Sequence, residues 1–130
     1  MIVSFIGAGN MARAIAQGLI NQGTAPASVL MAGPRQAHLE RLQQDLGVRT
    51  STDNQTAAQS ADILVLSVKP QVVRAVCEEL AGAIRPDTLV ISVAAGIRLN
   101  SLQRWLAGHS LLARAMPNTP AQIGLGATGV

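Results

Sequence analysis

The chain has 130 residues, of which 48% are hydrophobic and 13% charged, with a formal net charge of +3. That length suits one domain, and the apolar fraction supports a buried core and excludes a disordered chain. Phe5 and Trp105 are the only aromatic residues, and nine arginines and one lysine are scattered rather than clustered, so a base-stacking or basic-faced nucleic-acid binder is not expected.

The apolar run Ile2 to Ile6 predicts a first strand. It leads into Gly7-Ala8-Gly9-Asn10-Met11-Ala12, a G-x-G-x-x-A turn that opens a helix over about 10–22. In such a turn the first glycine allows the tight bend, and the second lets backbone approach a diphosphate. The final small residue lets the helix pack close to the sheet. Met11, Ile15 and Leu19 recur at helical spacing, and Gly23 is placed as a C-terminal cap.

A second strand is expected near 28–32. A helix over about 36–46 follows, with Leu39, Leu42 and Leu46 on one face and Gly47 after it. A short strand near 48–50 and an Ala-rich helix over about 54–60 come next. Ile63 to Val68 is almost continuously apolar, as a parallel strand covered on both faces should be. Pro70 opens another helix whose inner face reads Val72, Val73, Val76 and Leu80. A strand from Thr88 to Val93, a helix over about 100–107 capped by Asn100, and a strand over about 111–115 complete the pattern. The alternation predicts an α/β fold, a doubly wound Rossmann-type mostly parallel sheet, with residues 1–130 forming one dinucleotide-binding domain.

Ligands of such sheets collect at the carboxyl ends of the strands. Beyond the glycines, the candidates are therefore the residues that follow each strand. After the second strand stand Gly33, Pro34 and Arg35. The acid that would hold the ribose 2′-hydroxyl of NAD is missing, and Arg35 is the residue type that pairs with a 2′-phosphate. NADP(H) is accordingly expected over NAD(H), the competing reading being an exposed loop arginine. Asn54 either contacts a ribose or caps its short helix, and spacing favours the cap. Ser67, Val68, Lys69 and Pro70 lie at the expected crevice, Lys69 offering a charge there or simply facing solvent. Val93, Ala94 and Ala95 are small enough for a flat ring to approach, or simply form a tight loop. Between Pro117 and Pro120, Asn118 and Thr119 are candidates to face substrate, unless they serve only as a rigid polar turn.

Cys77 is the only cysteine, so no intrachain disulfide forms. A buried, inert thiol and a cytoplasmic location are expected. No run approaches the ~20 apolar residues of a membrane helix, and no membrane partner is expected. His38 and His109 fall in separate, nominally exposed segments. No metal site and no nucleophile–base constellation is legible, and catalytic residues are left unassigned.

Four motifs, Phe5 to Met11, Val68-Lys69-Pro70, Ser92 to Gly96 and Arg114 to Ala121, occur in the same order in pyrroline-5-carboxylate reductase, whose N-terminal NADP-binding domain this chain resembles from end to end. The resemblance implies NADPH-dependent reduction of the C=N bond of 1-pyrroline-5-carboxylate to L-proline. It implies that Ile6, Gly7, Ala8, Gly9, Asn10 and Met11 bind the diphosphate. It also implies that Asn54 contacts a ribose, and that Ser67 to Pro70 and Val93 to Ala95 line the nicotinamide half. The serine that some members carry near Gly33 and Pro34 is missing, which leaves the 2′-phosphate to Arg35 and backbone amides. The C-terminal helical domain of the family, which builds its homodimer and most of its substrate pocket, is also absent. The chain is therefore expected to be a truncated product or isolated domain that binds cofactor better than it catalyses. Two other readings compete. One is the cofactor domain of an NADP-linked 3-hydroxyacid dehydrogenase, and the other is a stand-alone NADPH-sensing module.

Overall fold

The computed structural model describes residues 1–115. These alternate strand and helix as β1 (Val3–Ile6), α1 (Asn10–Asn21), β2 (Val29–Ala32), α2 (Gln36–Leu46), β3 (Arg49–Ser51), α3 (Asn54–Ser60), β4 (Ile63–Leu66), α4 (Pro70–Leu80), β5 (Leu89–Ser92), α5 (Leu99–Trp105) and β6 (Leu112–Arg114). A 3-10 turn at Pro26–Ser28 precedes β2, where the expected strand began one residue too early.

All six strands are parallel, in the order β3-β2-β1-β4-β5-β6. β1 sits at the centre, with Ile6 level with Ala32 of β2 on one side and Leu66 of β4 on the other. The chain departs from β1 toward β2 and later returns to β4 on the opposite side. This is the strand-order reversal at which such sheets open a crevice.

Side chains alternate between the two faces, as strand geometry dictates. Phe5, Met31 and Val65 meet Ile15, Leu19, Leu39 and Leu42 in one apolar layer. Ile6, Leu30, Leu64 and Leu66 meet Ala57, Val73, Cys77, Leu80 and Leu102 in the other. Thus α1 and α2 cover one face, and α3, α4 and α5 the other. α1 comes close because the residues it buries beside Ile15 and Leu19 are Ala12 and Ala16.

Several local expectations are corrected. Met11 is exposed rather than part of the buried stripe of α1, because it lies in the first turn, beyond the edge of the sheet. Val72 is likewise exposed, and Cys77 takes its place on the inner face of α4. Asn100 does not cap α5, which begins one residue earlier at Leu99 with Arg98 as its N-cap. α3 is capped by Asp53, not Asn54. The Asp53 carboxylate accepts from the Gln55 N–H at 3.0 Å and the Thr56 hydroxyl at 2.8 Å, bonds that lower its pKa, the Thr56 bond most.

The end of the sheet opposite the crevice is stapled by Asp62. Its carboxylate accepts from the Ile2 N–H at 2.7 Å and from the Arg85 guanidinium at 3.1 Å. The Ile2 amide first, and then Arg85, hold this carboxyl below its ordinary value of 3.8. A carboxylate with a lowered folded pKa stabilises fully above 3.8 and loses that contribution as pH falls through the lower folded value. Asp62→Asn is therefore expected to melt earlier than wild type at neutral pH. The two melting curves should converge in a series taken down to about pH 3.

The hydroxyl of Ser4, fully buried in β1, has no partner among the described residues. Ser4→Ala is expected to be neutral or to stabilise by up to about 1 kcal/mol in urea unfolding, because it removes an unsatisfied polar group.

Candidate dinucleotide site

β1 ends in a bend that only glycine can make. Gly7 has φ +100°, and a Cβ there would meet the carbonyl group of Ser67 and Cγ1 of Val68 at 2.9 Å. Its N–H donates to Ala32 of β2 at 3.1 Å, while the Ser67 N–H donates to Ile6 at 2.9 Å. Three strand ends therefore meet at one point. Gly9 then N-caps α1 in extended backbone, and the first helical amide to find an acceptor is Arg13, which donates to Gly9 at 3.0 Å. The amides of Asn10, Met11 and Ala12 have no partner within the helix. No side chain caps α1 and no acidic residue stands in its first turn. A Cβ on Gly9 would meet nothing within 4 Å, so its absence serves the open space above it rather than internal packing.

Three clefts share Gly9. The first, of about 460 Å³, runs over Asn10, Met11, Ser67 to Pro70 and Val93 to Ala95. The second, of about 430 Å³, lies over Ile6, Gly7, Gly33, Thr52, Asn54, Val72 and Val76. The third, of about 120 Å³, is bounded by Ala8, Gly33, Pro34, Arg35, His38 and Leu39. Every site residue expected from the sequence within the described part therefore lies on one continuous surface. Asn118 and Thr119 lie outside the described residues.

Sequence reasoning missed Thr52, Val72, Val76 and His38. Thr52 was within reach, because it is the first residue after β3. Val72 and Val76 stand one turn apart on α4, and their pattern read as core. The position assigned to His38 is corrected, because it is half-buried and its Nε2 donates to the Ala8 carbonyl at 2.5 Å. His109 similarly bonds the Thr88 carbonyl, far from these clefts.

Arg35 and Lys69 bring two positive charges to this surface, and no carboxylate lines it among the described residues. With the bare amides of α1, the arrangement suits an extended ligand with a phosphate-rich middle. Cys77 is no nucleophile. Burial, and then the neighbouring Glu78, push its thiol up to about 11. The described residues hold no group of three or more His, Cys, Asp or Glu placed for a metal, and no helix long and apolar enough to cross a membrane.

The model of the family described as "NADP oxidoreductase coenzyme F420-dependent" matches residues 2–96. The chain belongs to this family. Over 98% of its length it is 47% identical to a pyrroline-5-carboxylate reductase of Vibrio alginolyticus, of which it covers 47%. A solved pyrroline-5-carboxylate reductase from Coxiella burnetii superposes with a TM-score of 0.84 at 40% identity, over 93% of this chain and 45% of that one. A Plasmodium falciparum pyrroline carboxylate reductase with NADP bound shares the fold at a TM-score of 0.80 and 23% identity, over 95% of this chain and 44% of that one. The resemblance read from the motifs is thus upheld by relatives in sequence and in structure. The chain spans about half the length of the curated relatives it matches.

The two glycines separate folding from binding. Gly7→Ala is expected to destabilise the fold by about 1–3 kcal/mol, through its positive φ and the contact with Ser67. Gly9→Val should cost only about 1 kcal/mol, as an N-cap change. It should nonetheless weaken dinucleotide binding more than about tenfold by filling the cleft. Urea unfolding and a fluorescence titration, run on both variants, measure the two effects.

Proposed function

We propose that this chain is the cofactor-holding part of a pyrroline-5-carboxylate reductase and binds NADP(H) in preference to NAD(H). The observation that carries the reading is the open cradle above Gly9, set at the start of a helix without a cap and flanked by Arg35 and Lys69. The relatives support the reaction: reduction of the C=N bond of 1-pyrroline-5-carboxylate to L-proline.

The residues fit a dinucleotide phosphate from end to end. The amides after Gly9 hold the diphosphate, and Arg35 pairs with the adenosine 2′-phosphate. Freed from capping by Asp53, Asn54 reaches the adenosine ribose. Val93, Ala94 and Ala95 would offer small side chains to a nicotinamide ring in the cleft that Met11 and Pro70 also line. When bound, NADPH supplies the hydride. The chain's own part is to hold the ring in one pose and to keep one face open for the imino acid. In the reductase proposed here, a second domain completes the substrate pocket and the homodimer. The single, buried Cys77 suits a cytoplasmic setting.

Titration of the 130-residue chain with NADPH and NADH separately, followed by nicotinamide fluorescence, tests the reading. NADPH should bind more tightly. Arg35→Ala should weaken NADPH roughly three- to tenfold, a modest factor because Arg35 is exposed, and leave NADH unchanged. Equal affinities for the two dinucleotides in wild type would overturn the preference, and binding of neither would overturn the function.

A further inference from the structure

The bend between β1 and α1 contains two peptide units whose carbonyls are each held by a side chain from elsewhere in the fold. The Ser67 hydroxyl, at the end of β4, donates to the Gly7 carbonyl at 2.8 Å, with the Ile6 carbonyl at 3.1 Å. The His38 ring, in the first turn of α2, donates through Nε2 to the Ala8 carbonyl at 2.5 Å. A carbonyl only accepts, so this bond fixes the proton on Nε2. In a trans peptide the C=O and the following N–H point in opposite directions, and no peptide bond among the described residues is cis. Holding the Gly7 carbonyl toward Ser67 therefore turns the Ala8 N–H away from Ser67. Holding the Ala8 carbonyl toward His38 turns the Gly9 N–H away from His38. Neither amide has an acceptor among the described residues, and both belong to residues that line the clefts.

We propose that Ser67 and His38 are positioning residues that clamp the bend from two sides and so aim the Ala8 and Gly9 amides before a diphosphate arrives. The inference rests on the cofactor reading above. It adds a function for two side chains that otherwise look like a strand-end serine and a helix-surface histidine. The energetic logic is preorganisation: a peptide plane that is already oriented loses little freedom when the ligand binds. Both clamps act on the diphosphate, which NADPH and NADH share. A direct contact of His38 with the 2′-phosphate would instead affect NADPH alone.

The test uses the full 130-residue chain and six proteins: wild type, His38→Ala, His38→Gln, Ser67→Ala, Ser67→Thr and the double alanine variant. NADPH and NADH affinities are read by nicotinamide fluorescence. The order parameter of the Gly9 N–H is read by NMR relaxation without ligand. Each alanine variant should weaken both dinucleotides by the same factor, roughly five- to tenfold, as expected for one lost orienting hydrogen bond. Glutamine at 38 and threonine at 67, which restore a donor, should recover most of it. The Gly9 amide should become more mobile in His38→Ala while the melting temperature stays close to wild type.

Unchanged affinities in both alanine variants would overturn the proposal. A loss confined to NADPH would overturn it for His38 and make that residue a 2′-phosphate contact. A Gly9 amide as rigid in His38→Ala as in wild type would overturn it as well. Failure of wild type to bind either dinucleotide would remove the cofactor reading, and this inference with it.

Discussion

The site depends on the close approach of two backbones where β1 and β4 end. Ser67 donates its amide to Ile6, and its carbonyl lies where a Cβ on Gly7 would have to go. The turn off β1 therefore needs a residue that has no Cβ and that tolerates φ +100°. The glycine resolves both demands. It carries the chain over the Ala32 carbonyl of β2 and starts α1 three residues later, directly above the centre of the sheet. That contact sets the bend that opens the crevice, while the first amides of α1 stay bare because no side chain caps the helix.

Packing below the crevice is made by large side chains and at its rim by small ones. Phe5, Met31, Leu39 and Leu42 fill one layer and Leu64, Leu66, Leu80 and Leu102 the other. At the rim stand Gly9, Gly33, Ala94 and Ala95, and in α1 Ala12 is fully buried against the sheet. A bulky residue at Gly9 would fill the space a ligand takes and gain no packing, since nothing lies within 4 Å of its Cβ position, while at Gly33 a Cβ would already meet that of Ala8 at 3.3 Å. The gradient in side-chain size thus keeps the clefts open above a filled core.

Periodicity and turn chemistry made the architecture legible. α2 is found at Gln36–Leu46 as read, with Leu39, Leu42 and Leu46 buried and Gly47 left-handed at its end. The parallel, doubly wound sheet follows from the same alternation. The errors fall where two signals overlap. Met11 and Val72 fit an apolar stripe, but they sit in first turns that project past the sheet, and period alone does not say where a sheet ends. Asp53 and Asn54 are both capping residues, and only the bond to the Gln55 amide distinguishes them. Residues that follow strands were named because topology puts them at the crevice, and they line its clefts. His38 was not, because its role depends on a carbonyl 30 positions away that no spacing rule connects to it.

The helix starts differ in how their first amides are served. α3 begins at Asp53, whose carboxylate serves its first-turn amides and so leaves them unavailable to an anion. α1, α2, α4 and α5 begin at Gly9, Arg35, Lys69 and Arg98, with no side-chain cap and no acid in the first turn, and Gly9, Arg35 and Lys69 line the clefts. A cap at such a place is worth about 1 kcal/mol. Forgoing it costs the free chain stability, and under the proposed function a phosphate bound beside the clefts restores part of that loss. The lack of an acid after β2 belongs to the same pattern. A carboxylate there would cap α2, but under the proposed function it would repel the 2′-phosphate that Arg35 pairs with.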